Sequence, residues 1–350
     1  MLERIQEQNV WDTLKSSNKP VVLYGMGLGA EKIMDTLAQY GIAVEAIFAS
    51  DEFVRGHSFR GYQVLKYQEV CEKYDDFNVV LCFASRLDSV ISRIAAINRE
   101  HTVFAPDVPV AGGGLFNRAF IAENEASFDR VYDRLADEES RRVYLDILHY
   151  KVSGKIEYLL RSFTDKDVVY RDILQLTGEE NILDLGAYDG DTIREFCAAT
   201  GGNYRYITAL EPDEKNFAKL LKNTAELDNI ACLNMGAWNQ RDTLIFAKKA
   251  GRNSKLSAEG VSVAVTDIDS LALTPTFIKM DIEGSELKAL EGGEKTIRTC
   301  RPKLYVCAYH RNEDLFTLPL KIWEYNRDYR IYFRHSQYIP AWESNFYCVP

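Results

Sequence analysis

No stretch of the 350-residue chain approaches the run of about 18 apolar residues that a membrane-spanning helix requires. Proline is scarce, at 9, and glycine stands at 21, which excludes a collagen-like or low-complexity chain. There is no CxxC pair. The seven cysteines are scattered from Cys71 to Cys348, and only Cys300 and Cys307 lie close together. That pattern reads as free buried thiols in a reducing compartment, with neither disulfides nor a zinc site. The first residues, Met1-Leu-Glu-Arg-Ile-Gln-Glu-Gln, carry charges where a signal peptide has its apolar core, so a cytoplasmic location and no membrane partner are expected. Positive charge is also in deficit, 42 basic against 52 acidic side chains for a net −10, and a field of that sign repels phosphate backbones. Nucleic acid is therefore not an expected partner. What remains is ordinary globular composition, 46% hydrophobic and 27% charged, in a chain long enough for two domains of about 150 residues.

Periodicity divides the chain. Pro20-Val-Val-Leu-Tyr24, Val44-Glu-Ala-Ile-Phe48, Val79-Val-Leu-Cys-Phe-Ala84 and Val103-Phe104 read as strands, with helices over 31–40 and 87–97. Strand, helix, strand at this spacing means a parallel sheet with crossover helices. Ala111-Gly-Gly-Gly-Leu115 marks a boundary, and 124–136 and 138–152 read as amphipathic helices. Alternation then resumes. Strands are expected at 181–185, 206–210, 230–235, 276–280 and 303–308, with helices at 192–199, 215–227, 285–299 and 315–325. Two aromatic segments, 329–333 and 345–349, form a closing hairpin. The expected fold class is α/β: two Rossmann-like doubly wound sheets joined by a helical connector, the second with an antiparallel terminal strand. The expected boundaries are 1–105, 106–165 and 166–350.

The strongest constellation is Asp184-Leu-Gly186-Ala-Tyr188-Asp-Gly190 after a strand. Two glycines let the backbone turn tightly against a ligand before a helix begins. Twenty-one residues past Gly190, Glu211 ends the next strand, where a carboxylate can accept both ribose hydroxyls of a nucleoside. Further on, Asp281 and Glu283 lie between a strand and a helix. The bland reading is capping of the helix N-terminus, worth about 0.3–1 kcal/mol. The functional reading puts Asp281 at the carboxyl edge of the sheet. Two carboxylates without a third ligand are weak grounds for a metal, so none is expected. His310, in Tyr309-His310-Arg311 after the next strand, has the pKa range of a general base. His335 has weaker context, and His57, His101 and His149 have none.

Asp184-x-Gly186-x-x-x-Gly190 with Glu211 resembles the first two motifs of class I S-adenosylmethionine-dependent methyltransferases. Phe277-Ile-Lys-Met-Asp281-Ile-Glu283-Gly-Ser-Glu286, followed by Leu290-Glu-Gly-Gly293, is similar to the signature of the FkbM-type branch. The resemblance covers about Tyr170 to Pro350, including the terminal hairpin. It implies S-adenosylmethionine as cofactor and a hydroxyl of a sugar or natural product as acceptor. By that resemblance Asp184, Gly186 and Gly190 line the methionine moiety, with Tyr188 beside the cofactor. Glu211 holds the ribose, and Gly236, Ala237 and Trp238 lie by the adenine. Trp238 either stacks on that ring or fills the core. Asp281 borders the transferred methyl, and His310 or Asp281 takes the acceptor proton, with Glu283 beside them.

Two features stand apart. Gly25-x-Gly27-x-x-Ala30, with Asp51 ending the next strand, satisfies a dinucleotide fingerprint. The later Gly56-His-Ser-Phe-Arg-Gly61-Tyr-Gln-Val64 resembles the first domain of sugar-modifying acyltransferases. The first unit is accordingly a degenerate packing domain, a nucleotide or nucleotide-sugar binder, or a nicotinamide site. A non-catalytic nucleotide or sugar binder and an NAD(P)-dependent oxidoreductase are the alternatives to the methyltransferase. Between Lys295 and Arg334, nine basic residues face four acidic ones. This is either a solvated face or a mouth for an anionic small-molecule or saccharide acceptor.

Overall fold

Runs such as Val21-Val-Leu-Tyr24 and Asn78-Val-Val-Leu81 are apolar or buried at every position, the pattern of strands covered on both faces. In the computed structural model, which describes residues 1–54, 56, 58–109, 111–246 and 261–350, they lie at the centre of a six-stranded sheet. Its strands are β1 (Val21–Tyr24), β2 (Ala46–Phe48), β3 (Ser58–Phe59), β4 (Tyr62–Leu65), β5 (Asn78–Leu81) and β6 (Val103–Phe104). The order is β3-β4-β2-β1-β5-β6, parallel except for the β3–β4 hairpin. His57 lies outside the described residues.

The second half builds β7 (Asn181–Leu185), β8 (Tyr206–Leu210), β9 (Ile230–Leu233), β10 (Gly236–Ala237), β11 (Asp242–Phe246), β12 (Val261–Thr266), β13 (Phe277–Met280), β14 (Lys303–Cys307), β15 (Arg330–His335) and β16 (Ser344–Val349). Seven of these form a sheet ordered β15-β16-β14-β13-β7-β8-β9, with β16 antiparallel to both its neighbours, so the antiparallel terminal strand is where the hairpin pattern put it. β10, β12 and β11 make a separate small sheet that periodicity did not reveal. The helix expected over 285–299 is broken into Glu286–Glu291 and Glu294–Cys300. The break follows from close approach: a Cβ on Gly292 would fall 2.3 Å from the Trp238 carbonyl oxygen.

Helices Glu125–Arg134 and Glu138–Ser153 form the layer between the two sheets. One apolar core joins Val22, Phe48 and Val79 of the first sheet to Phe128, Val143 and Ile147 of these helices. The same core continues into Leu183, Ile278, Val306 and Phe346 of the second sheet. Asp137 caps the longer helix through the Ser140 amide, and its carboxylate also pairs with buried Arg334 of β15 at 2.6 Å. The outer faces have their own cores, around Leu23, Ile33 and Leu37 on one side and Ile182, Phe196 and Ile207 on the other. Among the described residues no helix is long and apolar enough to cross a membrane.

The carboxyl edges of the two sheets meet. Ser85, just past β5, exchanges two backbone hydrogen bonds with Ile339 in the β15–β16 turn, at 2.9 and 3.0 Å. The Ala111 amide donates to the His310 carbonyl at 2.9 Å, so the glycine-rich stretch lies against the loop after β14.

Candidate active site

The strand order places the switch point of the second sheet between β7 and β13, where doubly wound sheets bind ligands. The loops leaving these two strands are seated on each other. Gly186 has φ +80°, and a Cβ there would lie 1.9 Å from the Asp281 carbonyl oxygen. Gly186 is therefore glycine because the Asp281 backbone occupies the space. The turn continues through Tyr188 at φ 49° and Gly190 at φ 85°, which begins helix Asp191–Ala199. The Gly186 and Ala187 amides donate to the Leu210 carbonyl, and the Tyr188 amide donates to Glu211 Oε2 at 2.9 Å. Glu211 Oε1 accepts the Asp213 amide at 2.9 Å. Burial pushes the Glu211 carboxyl up to about 7, against the pull of these two amides. Asn234, which sequence reasoning missed, ties the end of β9 to this turn by donating to the Glu211 carbonyl at 2.9 Å. Gly236 packs beside Pro212, and Ala237 is buried. The Trp238 amide is held by the Thr266 carbonyl of the small sheet. Gly186, Tyr188, Gly190 and Glu211 are thus one continuous surface, with Gly236 next to its rim. The Tyr188 ring is 37% exposed, with the Lys219 ammonium 5.7 Å from its centroid.

Asp184 does not belong to that surface. Expected along the methionine moiety, it is wholly buried, its Oδ1 3.1 Å from Lys279 Nζ and its Oδ2 accepting the Thr192 hydroxyl at 2.9 Å. An aspartate delivered by a central strand satisfies its charge internally before it can reach a ligand.

On the other side of Gly186, the Asp281 side chain is 30% exposed and accepts the Tyr309 hydroxyl at 3.0 Å. Burial would raise its pKa, but Lys279, His310 and Tyr309 together hold it below the usual carboxylate range. His310 is buried and its ring bridges two carboxylates. Nδ1 is 2.9 Å from Glu286, Nε2 is 3.4 Å from Asp281, and Glu283 stands 3.8 Å from Nε2. Burial alone would lower its pKa, yet Glu286, then Asp281 and Glu283, raise it to about 10. The three surrounding carboxylates thus favour the protonated ring, which speaks against the expected general-base role. Lys279 first, and His310 after it, supply the positive charge that holds the Asp281 carboxyl below its ordinary range. Glu283 sits at φ 55°, a left-handed conformation uncommon for a side chain of this kind, in the loop that also carries Asp281.

Asp281, Glu286 and His310 bring donor atoms within 4.8 Å of one another, supplying the third ligand that spacing had not found. The ring's two nitrogens face different carboxylates, however, so the geometry is that of an ion-paired bridge. Glu286 also accepts the Ile282 amide at 2.9 Å, fixing the loop after β13 from behind. Glu286, Tyr309 and Lys279 all lay inside segments with recognisable patterns, but their chemistry depends on partners from other elements.

His335 is a structural histidine. Burial lowers it to about 4, and its nitrogens face the Tyr338 carbonyl and the Ser344 hydroxyl. The basic stretch is largely consumed locally, since Arg298, Arg301, Lys303, Lys321 and Arg334 each pair with a carboxylate. Arg311, which lies 3.8 Å from Glu313, reaches the loop after β13, donating to the Gly284 carbonyl at 2.7 Å. At the first sheet, Gly25 and Gly27 have φ above +100° and Asp51 begins a short turn beyond β2, so the fingerprint does assemble at one edge. Gly25 and the neighbouring Gly29 serve packing, since a Cβ on Gly25 would meet Phe83 at 2.6 Å and one on Gly29 the Cys82 carbonyl at 2.5 Å, whereas a Cβ on Gly27 would meet nothing within 4 Å.

The strand order, the terminal antiparallel strand and the glycine turn after β7 define a Rossmann-like class I methyltransferase fold. More narrowly, residues 184–339 match the family model of the methyltransferase FkbM domain, so that segment is an FkbM-type methyltransferase domain. A solved FkbM methyltransferase from Methylobacillus flagellatus KT superimposes with a TM-score of 0.73 at 23% identity, covering 99% of this chain and 92% of that one. The shared fold therefore includes the first sheet and the helical layer. A fibrillarin from Aeropyrum pernix with bound S-adenosyl-L-methionine aligns over 53% of this chain and 73% of its own, at 12% identity and a TM-score of 0.34. That superposition is too loose to argue from. No curated protein matches the chain.

Proposed function

We propose that the protein is an S-adenosylmethionine-dependent O-methyltransferase acting on a hydroxyl of a carbohydrate or glycoconjugate. The observation that carries the reading is Asp281: a partly exposed, ionised carboxylate seated directly against the glycine turn. When bound, S-adenosylmethionine supplies an electrophilic methyl group on sulfur. The donor set fits it. Glu211 offers carboxylate oxygens to the ribose hydroxyls, the turn 186–190 bends through Gly186 and Gly190 and presents the Tyr188 ring, and Gly236, Ala237 and Trp238 lie on the adenine side. The chain's own work is chiefly alignment, because in-line displacement is sensitive to the angle and distance of the attacking atom. Asp281 accepts the hydrogen of the acceptor hydroxyl, orients its oxygen and takes the proton as the hydroxyl attacks. Tyr309 fixes one Asp281 oxygen, and protonated His310 with Glu283 fixes the charge balance around it.

The acceptor crevice in this reading lies between the two carboxyl edges, with the first unit, residues 1–105, forming its far wall. Seven unpaired cysteines support a cytosolic setting. The test is release of S-adenosylhomocysteine with a panel of sugars and nucleotide-sugars. Asp281→Asn should lower kcat by about 10²- to 10⁴-fold while leaving affinity for S-adenosylhomocysteine intact. An Asp281→Asn enzyme with the wild-type kcat would overturn the assignment.

A further inference from the structure

A lysine in the middle of a central strand needs a reason. Lys279 occupies the third position of β13 between Phe277, Ile278 and Met280, and all four residues are buried. The β13–β7 register sets Lys279 directly opposite Asp184. Its ammonium lies 3.1 Å from Asp184 Oδ1 and donates to the Gly186 carbonyl at 2.8 Å. The other Asp184 oxygen accepts the hydroxyl of Thr192, in the first turn of the helix that leaves the loop. One buried cation thus connects the entry, the bend and, through Asp184, the exit of the turn 186–190.

Stability alone does not account for this arrangement. A buried ion pair replaced by apolar side chains of similar volume is often as stable or more so. The turn, by contrast, needs external support. Three of its five residues, Gly186, Tyr188 and Gly190, have positive φ, and the Gly186 carbonyl turns inward, where an apolar residue at 279 would leave it without the ammonium. The Gly186 backbone is also the surface on which Asp281 rests.

We propose that Lys279 is a positioning residue that fixes the glycine turn through the Gly186 carbonyl and Asp184, setting the shape of the cofactor surface and its alignment with Asp281. The inference rests on the proposed cofactor site for its affinity readout and is independent of it for stability and hydrogen exchange. The variants are Lys279→Met, which leaves Asp184 buried and unpaired, and the double substitution Lys279→Met with Asp184→Leu, which makes the site apolar. The single variant should lose thermal stability, and the double variant should recover most of it. In the double variant without ligand, hydrogen exchange at the Gly186, Ala187, Tyr188 and Gly190 amides should still be faster than wild type by about tenfold or more. Calorimetry with S-adenosylhomocysteine should show affinity weakened by a similar factor. If the double variant regains stability with wild-type exchange at those four amides, the proposal is overturned. If the wild-type chain fails to bind S-adenosylhomocysteine, the cofactor reading falls, and the exchange result still decides the role of Lys279. Thr192→Val removes one hydroxyl at the margin of the same network. It should fold normally and speed exchange at Gly190; unchanged exchange there would also count against the proposal.

Discussion

Gly186→Ala tests the contact between the two loops most directly. The added Cβ would sit 1.9 Å from the Asp281 carbonyl oxygen, 2.9 Å from its carbonyl carbon and 3.2 Å from Ile282 Cγ2. Real Cβ atoms do not approach within 3.0 Å, so the loops must part by at least 1.1 Å (3.0 − 1.9). All the nearest atoms are backbone or β-branched side chain, and none is the far end of a flexible group that could swing aside. A misplacement of about 1 Å at a reacting centre costs roughly 10²-fold in rate. Alanine at φ +80° adds strain of about 1–2 kcal/mol to the folded state. The variant should therefore fold with reduced thermal stability, retain part of its cofactor affinity, and lose about 100-fold in kcat. Transfer of labelled methyl at saturating cofactor, run beside thermal unfolding, reads both effects. A Gly186→Ala enzyme with wild-type kcat would show that Asp281 is not held by this contact, and the geometric argument for its role would fail.

Glu211→Ala removes the proposed ribose acceptor. A hydrogen bond to a charged group is worth about 1.5–3 kcal/mol, so calorimetry should show affinity for S-adenosylhomocysteine lower by about 10- to 150-fold. Unchanged affinity in a folded variant would refute the ribose assignment. Tyr309→Phe deletes one donor to Asp281 and should reduce kcat by about tenfold with little change in cofactor affinity; an effect confined to KM would mean that Tyr309 contacts the acceptor only. Because the His310 pKa rises on folding from 6.5 to about 10, its pairing stabilises the protein fully below pH 6.5 and the contribution is lost as pH rises through about 10. Thermal stability should fall across that window more steeply in wild type than in His310→Asn, and the kcat profile should lack a histidine inflection near pH 6.5. An inflection there that disappears in His310→Asn would restore the general-base role.

Much of the framework was legible because strands buried on both faces write their position as unbroken apolar runs. β1, β7, β13 and β14 sit within a residue of their expected places, β5 ends at Leu81, three residues before its expected end, and the closing hairpin gave the antiparallel edge. Short elements carry too little periodicity to be seen, so the β3–β4 hairpin and the three-stranded sheet of β10–β12 went unread. Proximity was the harder problem. Ala111-Gly-Gly-Gly-Leu115 reads as a loose boundary by composition, yet Ala111 is hydrogen-bonded to His310, and the Gly114 carbonyl accepts the Asn312 amide at 3.3 Å. A histidine after a strand is visible in sequence, but its proton is fixed by Glu286, Asp281 and Glu283 closing around it, which no local pattern encodes. Asp184 misled for the complementary reason: its motif position suggested a ligand, whereas the lysine facing it one strand away had already claimed it.

The helical layer has a consequence for how the molecule fails. Its inward side chains are shared, so Phe128 or Ile147 cannot loosen on behalf of one sheet without exposing the other. The chain should then lose its two halves together on heating, in a single concerted transition. A destabilising change near β1 or β5 would be felt as lost methyl transfer. Selection on this catalyst therefore acts on a sheet that contributes none of its proposed catalytic residues.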